Sequence, residues 1–383
     1  MGAKPVAVLS SDWHLLPGAW KKYPRVTKDS YCSLQQIVDL AIELNVPLVG
    51  AGDLFDVKLP PSESVVFCGQ QMERLKNAGL MVYYVQGQHE ESSPTWMSLF
   101  SNTVHIDSFL SNKCKVFELF GGMTVCGMDI ERNAETMADK TKAMKQAGSG
   151  QLDLFITHQV WGDFIKKGNA DHFKLRSVDF FKMVYSGDCH EYIVDTHLDN
   201  CIALSTGSTC MQAVNEDPVK KVLVLYDDMT IKAYQLATRP FQLLTVKTKD
   251  HLERILESPK EKVLGFEDFD SLPEEIRIPL VVVRCNNKLE FGFSRLTDKF
   301  ADWHSEVIPV NFDSAEISNA YSANNDVADT VDVGDCIQAA VGSAENQLYK
   351  DAVRLFFSHD VKQELDVMKQ EHLEETANAS DQG

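Results

Sequence analysis

The chain has 383 residues, 44% hydrophobic and 24% charged, the make-up of a globular protein of two or three domains; collagen, low-complexity chains and small disulfide-stapled scaffolds are excluded. The net charge is −19, which argues against nucleic-acid affinity from bulk charge and leaves only a local basic patch or bound cations for that purpose. Residues 311–383 hold 15 acidic against 4 basic residues, so the acidity is concentrated at the carboxyl end.

Residues 6–9 form a short apolar run that reads as a buried strand. Over 33–44, Leu34, Ile37, Val38, Ala41, Ile42 and Leu44 fall at helical spacing. A strand is expected at 46–49. A helix is expected over 62–77, with Ser62 as N-cap and Gly79 as stop signal. Residues 80–85, rich in Val and Tyr, read as a third strand. After a looser region, strands are expected at 152–156 and 183–185. The runs 201–204, 222–226 and 230–236 read as a closing β-meander, with Asp227 and Asp228 as a turn. Early β-α alternation followed by hairpins predicts an α/β layered domain over 1–238. From Arg239 and Pro240 a small α+β unit of 239–310 follows, with strands at 241–248 and 279–285 and helices at 250–257 and 294–303. Residues 311–342 read as an acidic linker. Residues 343–375 read as two amphipathic helices suited to docking on a partner.

The 9 cysteines are scattered without a C-x-x-C pair and read as reduced thiols. No apolar stretch nears the roughly 18 residues of a membrane span. The first strand follows Met-Gly-Ala-Lys with no apolar leader. A cytoplasmic protein without membrane attachment is expected.

Five polar clusters each follow an apolar strand: Asp12-Trp13-His14, Gly52-Asp53-Leu54-Phe55-Asp56, Gly87-Gln88-His89-Glu90, Thr157-His158 and Gly187-Asp188-Cys189-His190. Ligands in open α/β sheets bind outside the carboxyl ends of the strands. Any one cluster alone reads as a turn or cap; five in order, each at a strand end, read as a site. Carboxylate, imidazole and amide oxygen without thiolate suit Mn²⁺, Fe or Mg²⁺. Asp12, His14, Asp53, Gln88, His158, Asp188 and His190 are too many ligands for one ion with open positions. Two ions sharing a carboxylate fit better and suit attack on a phosphate.

These motifs resemble those of the calcineurin-like metallophosphoesterase superfamily (D-x-H, G-D-x-x-D, G-N-H-D/E, a lone His and G-H-x-H). The chain looks most like the SbcD-type nuclease subunits of double-strand-break repair complexes, because Ser205–Thr209 with Asn215 and Glu216 resembles the P-G-S-x…E stretch of that group. The resemblance implies a layered β-sandwich metallophosphoesterase domain flanked by helices, a small α+β cap domain and C-terminal helices. It implies two divalent ions, Mn²⁺ before Mg²⁺ or Fe. Asp12, His14, Asp53 and His190 would hold one; Asp53, Gln88, His158 and Asp188 would hold the other. It implies 3′–5′ exonuclease and single-strand endonuclease activity on DNA, a homodimer, and an SbcC-type coiled-coil ATPase as partner. Two positions depart from the pattern: Gln88 stands for Asn and Asp188 for the first His of G-H-x-H. Both still coordinate, and both change the second ion's set. By the same resemblance His89 is the catalytic group at the leaving oxygen, with Glu90 expected to orient its ring. Asp56 is expected either to support the site or to cap a helix. Trp20, Lys21, Lys22, Tyr23, Arg25 and Lys28 are a candidate nucleic-acid surface, and Lys166, Lys167, Lys174 and Arg176 a second. The alternatives are a phosphatase or small-substrate phosphodiesterase of the same superfamily, or a non-catalytic repair scaffold.

Overall fold

The computed structural model describes residues 2–310, apart from 22, 111–113, 149, 165–172, 199–200 and 267. The expected acidic linker and C-terminal helices, and Lys166 and Lys167, lie outside the described residues.

The first half builds a parallel sheet. Strand β1 (Pro5–Ser10) leads through α1 (Pro24–Thr27) and α2 (Asp29–Leu44) to β2 (Leu48–Ala51). Helix α3 (Ser62–Asn77) and β3 (Val82–Val85) follow, then β4 (Thr103–His105). Ser62 is already helical, with Pro61 before it. Gly79 stops α3 as expected: its φ of 75° lets Leu80 N–H reach the Leu75 carbonyl at 2.9 Å.

A second sheet is made by β5 (Phe117–Leu119), β6 (Met123–Met128), β7 (Leu152–His158), β8 (Phe181–Gly187), β9 (Ile193–Leu198) and β10 (Cys201–Ser205), with α4 (Ala134–Ala147) between β6 and β7. The chain then returns to the first sheet as β11 (Lys221–Tyr226) and β12 (Ile231–Gln235). The orders are β12-β11-β1-β2-β3-β4 and β5-β6-β7-β8-β10-β9. The expected single meander is therefore divided. β10 lies parallel to β8, while β11 lies antiparallel to β1. A short apolar run fits either partner equally well, and the residues alone do not choose.

Alternate side chains of each strand face opposite layers. Ala7 and Leu9 of β1 pack between the sheets with Val49, Val85, Leu154, Ile156, Tyr185 and Leu223. Val8 points the other way, towards Leu34, Ile37 and Val38 of α2 and Leu75 of α3. On the far side, Phe155, Phe181 and Val184 pack with Met137 and Met144 of α4. The result is the expected α/β architecture: two large mixed sheets face to face, flanked by helices.

A third sheet, all parallel, holds β13 (Phe241–Val246), β14 (Leu280–Asn286) and β15 (His304–Val310). With α5 (Lys249–Glu257), α6 (Lys260–Leu264) and α7 (Glu290–Lys299) it encloses its own core of Val246, Leu252, Val283, Leu296 and Phe300. Two features join it to the larger layers. Arg239 makes a buried two-pronged ion pair with Asp29, at 2.7 and 2.8 Å. Trp20, Val26, Met211 and Leu280 form a small core at the joint. This corrects one expectation: Trp20 is buried, donates to the Met211 carbonyl and offers no face for base stacking, while Tyr23 donates to the Ser305 carbonyl. That segment is a joint, with its aromatic rings spent on packing.

Candidate metal centre

All five expected clusters leave the carboxyl ends of β1, β2, β3, β7 and β8, each an interior strand of its sheet. The turns are sharp. Asp12, His14, Asp53 and Asp188 have φ of 51°, 41°, 49° and 72°, a region that side chains other than Gly seldom adopt, and such strain gathers at functional sites. The glycines between them are forced by crowding. A Cβ on Gly87 would stand 2.1 Å from Asp53 Oδ1, and one on Gly187 2.6 Å from His158 Nδ1.

The side chains converge. His158 Nε2 lies 3.3 Å from Asp53 Oδ2 and 3.9 Å from Asp188 Oδ1. His14 Nε2 lies 3.7 Å from Asp53 Oδ2 and 3.9 Å from Asp12 Oδ1. His190 Nε2 lies 3.7 Å from Asp12 Oδ1. Potential ligand atoms of Asp12, His14 and His190 fall within 4.8 Å of one another, as do those of Asp12, Asp53 and His158.

Each imidazole is held from behind, so that Nε2 is the free atom. His158 Nδ1 donates to the Ala51 carbonyl at 2.7 Å. His14 Nδ1 pairs with Asp56 at 3.1 Å, and Asp56 also accepts from Gly18 N–H. His190 Nδ1 pairs with Glu216 at 2.8 Å, which in turn accepts from buried Lys220, Ser208 and Gln212 N–H. Backing of this kind fixes the tautomer of a metal-binding histidine. Asp56 thus supports the site. Glu216 is a supporting residue that motif spacing alone did not point to; only its place in the resemblance marked it.

Whether these residues fit divalent ions is answered by the atoms left over. Asp12 Oδ2, His14 Nε2, Asp53 Oδ2, Gln88 Oε1 and His158 Nε2 are buried with no hydrogen-bond partner. Five unpaired acceptors pointed at one another would be costly without a cation between them. The titration behaviour says the same. Burial works to raise the Asp53 carboxyl, but the imidazoles of His158 and His14 and the His89 N–H outweigh it and hold it down at about 2. Burial likewise opposes a charge on His158, yet Asp53 pushes its pKa up to about 10. In Asp12 burial prevails over His158 and His190 and lifts the carboxyl. The cluster pulls protons onto nitrogen for want of positive charge. The donor set fits divalent cations.

Asp188 and Gln88 touch directly, Gln88 Nε2 donating to Asp188 Oδ1 at 2.7 Å, so the two departing positions form a pair. His89 stands at the mouth, its side chain 42% exposed, with Nε2 3.8 Å from Asp53 Oδ2. Its ring is oriented by the Asp56 carbonyl, which Nδ1 reaches at 2.7 Å. Glu90 is elsewhere: its carboxylate, buried and pushed up to about 8 by burial and then by Asp53, accepts from Phe55 N–H and Gly87 N–H. It clamps two of the site loops together and leaves the His89 ring alone.

Among curated proteins, the DNA double-strand break repair protein Mre11 of Methanocaldococcus jannaschii is 25% identical over 292 residues, 72% of each chain. That of Sulfurisphaera tokodaii is 24% identical over 137 residues, 34% of this chain and 35% of its own length. The uncharacterized metallophosphoesterase YhaO of Bacillus subtilis is 30% identical over 88 residues, 22% of each. Relatives and site together support the calcineurin-like metallophosphoesterase superfamily. No family model matches the chain. Among solved structures, a dimetal phosphatase from Danio rerio superposes with a TM-score of 0.42 at 14% identity, covering 61% of this chain and 98% of that one; so loose a superposition adds nothing to the assignment. The chain covers about a third of the Sulfurisphaera protein's length and under a quarter of YhaO's. No helix of the described residues is long and apolar enough to cross a membrane, and the eight cysteines among them are free thiols.

Proposed function

We propose that the chain is a two-metal DNA phosphodiesterase, a 3′–5′ exonuclease and single-strand endonuclease of a double-strand-break repair complex. The observation that carries this reading is the set of five buried, unpartnered acceptors delivered by four strand ends, together with the match along 72% of a repair protein. Asp12, His14, Asp53 and His190 hold one ion and Asp53, Gln88, His158 and Asp188 the other, with Mn²⁺ the expected metal. Bound there, divalent ions polarise a phosphodiester and lower the pKa of an attacking water. Asp53, whose Oδ1 is fixed by His89 N–H at 2.9 Å, turns its free Oδ2 towards both halves. With Nδ1–H committed to the Ala51 carbonyl in His158 and to Glu216 in His190, Nε2 is the ring atom each would offer to an ion, losing any proton it carries when the ion binds. His89, exposed, is steadied by the Asp56 carbonyl, which accepts from Nδ1–H, so it is as an imidazolium that the ring presents a proton at Nε2 to the leaving oxygen. The SbcC-type ATPase partner, the homodimer and the cytoplasmic location are parts of the same proposal.

The test uses the purified full chain with Mn²⁺ on three substrates: an end-labelled oligonucleotide, bis(p-nitrophenyl) phosphate and p-nitrophenyl phosphate. Cleavage of the two diesters, stopped by EDTA, is expected. Cleavage of the monoester alone would move the reading to a phosphatase, and no cleavage of any to a scaffold.

A further inference from the structure

Two cavities lie side by side on the β7–α4 face of the centre, and Phe173 lines both. The first, about 290 Å³, begins at Gln88 and Asp188 and is lined further by Gln159, Arg132 and Phe173. That volume is at the low end for small-ligand sites and suits one flat group. Its charges are largely spent. Arg132 pairs with Glu91 at 3.1 Å, and Glu131 with Lys140 at 2.9 Å. Gln159 is buried, and its side-chain oxygen accepts from Glu131 N–H, which leaves its amide NH₂ as the donor this side chain brings to a cavity that Phe173 also lines. The second cavity, about 370 Å³, is different in kind. Lys142, Lys145 and Lys174 line it, and none of its described lining residues is a carboxylate. All three are exposed, and none is ion-paired among the described residues; what sets them apart is that they gather around one cleft. Lys145 lies over the Phe180 ring.

In a chain of net charge −19, three exposed lysines around one cleft, without an ion pair among the described residues and one aromatic ring away from a phosphate-directed centre, call for a polyanion that also carries flat groups. We infer that the centre continues into a track for a single nucleic-acid strand, with a base against Phe173 and Gln159 in the first cavity and the following phosphates on Lys142, Lys145 and Lys174. This rests on the diesterase reading above and adds to it the direction in which the strand lies. Aromatic stacking beside a basic groove is how single strands are held without base readout, and Phe173 could not stack on a base that stays paired in a duplex.

The probe is a fluorescein-labelled oligo(dT), its binding to the full chain read by anisotropy in Ca²⁺, with its length checked afterwards. In the triple variant Lys142→Ala, Lys145→Ala, Lys174→Ala, affinity should fall by about ten-fold or more, and the slope of log affinity against log salt should shrink by about 2, at roughly 0.7 per phosphate lost. Its hydrolysis of bis(p-nitrophenyl) phosphate in Mn²⁺ should be unchanged, which also shows that it folds. Phe173→Ala should weaken oligo(dT) by about ten-fold, in line with one lost stacking contact, and a duplex of equal length far less. Wild-type affinity and salt slope in the triple variant, or no oligo(dT) binding by the wild type, would overturn the track while leaving the diesterase reading intact. Track-dependent binding by a wild type that cleaves no diester would do the reverse.

Discussion

The two halves of the proposed metal centre are built differently. In the half made by Asp12, His14 and His190, both imidazoles are backed by carboxylates, Asp56 and Glu216, each anchored by further donors. In the half made by Gln88, His158 and Asp188, the imidazole is backed by a neutral carbonyl, and the other two residues hydrogen-bond to each other. A carboxylate behind an imidazole raises its basicity as a ligand. In the pair of Gln88 and Asp188, Gln88 Oε1 is free, but Asp188 Oδ1 is already engaged by the Gln88 NH₂, which makes that oxygen a poorer donor to an ion. The first half should therefore hold its ion more tightly, and the second should be the one that responds to metal concentration. Asp53 belongs to both.

The largest effect should come from the shared residue. Asp53→Asn removes the charge both halves use, and hydrolysis should vanish at every Mn²⁺ concentration. Recovery at high Mn²⁺, measured as kcat on bis(p-nitrophenyl) phosphate, would mean that Asp53 serves only one half. Next comes His89→Ala, which should leave both ions bound and lower turnover by about 10²–10⁴-fold, the usual worth of a positioned proton donor. Metal content by mass spectrometry beside kcat separates the two roles, and a lost ion would make His89 a ligand.

How far the centre was legible in the sequence follows from the same contrast. Ligands within one cluster, such as Asp12 and His14, are two residues apart, so the motif shows them directly. Their supports are not local: Ala51 lies 107 residues from His158, and Asp56 lies 42 from His14. The layered α/β fold was legible from strand–helix alternation, while the division of β10 and β11 between two sheets was not, because both are plain apolar runs. Strand β6 and helix α4 were hidden for another reason. Gly127 sits in β6 because a Cβ there would meet the Ile106 carbonyl at 2.1 Å, and α4 buries only Met137 and Met144, too thin a stripe to read as helical periodicity. The same polar helix carries the lysines of the inferred strand track.

Asp188 sharpens the comparison at intermediate size. Asp188→Ala should empty the second half in dilute Mn²⁺, cut activity by about 100-fold, and recover in part with excess Mn²⁺ as the remaining Asp53, Gln88 and His158 are driven to bind by mass action. Asp188→His should restore activity and shift preference from Mg²⁺ towards softer ions. Anomalous scattering from Mn²⁺-soaked crystals of Asp188→Ala is decisive, because two full peaks with wild-type kinetics would leave Asp188 as a turn residue only.

The smallest effect, and the most specific to the first half, concerns Glu216. Its two oxygens face different company: Oε1 meets His190 Nδ1, while Oε2 accepts from Lys220, Ser208 and Gln212 N–H. Glu216→Gln is nearly isosteric but has one acceptor and one donor. Three donors, one of them a buried ammonium, compete for the remaining oxygen against a single imidazole, so the amide should turn its oxygen to Lys220 and its NH₂ to His190. An NH₂ opposite Nδ1 forces that nitrogen to accept, and the proton moves to Nε2, the atom that faces Asp12 and the ion. Affinity for one Mn²⁺ should then fall by about 10-fold, the low end for loss of a supporting partner, while kcat at saturating Mn²⁺ stays near wild type because no ligand has been removed. ¹⁵N chemical shifts of the His190 ring in the metal-free protein report the tautomer directly. An unshifted ring together with an unshifted metal affinity would show that His190 is oriented by packing alone, and the asymmetry between the halves would then have to lie in Gln88 and Asp188.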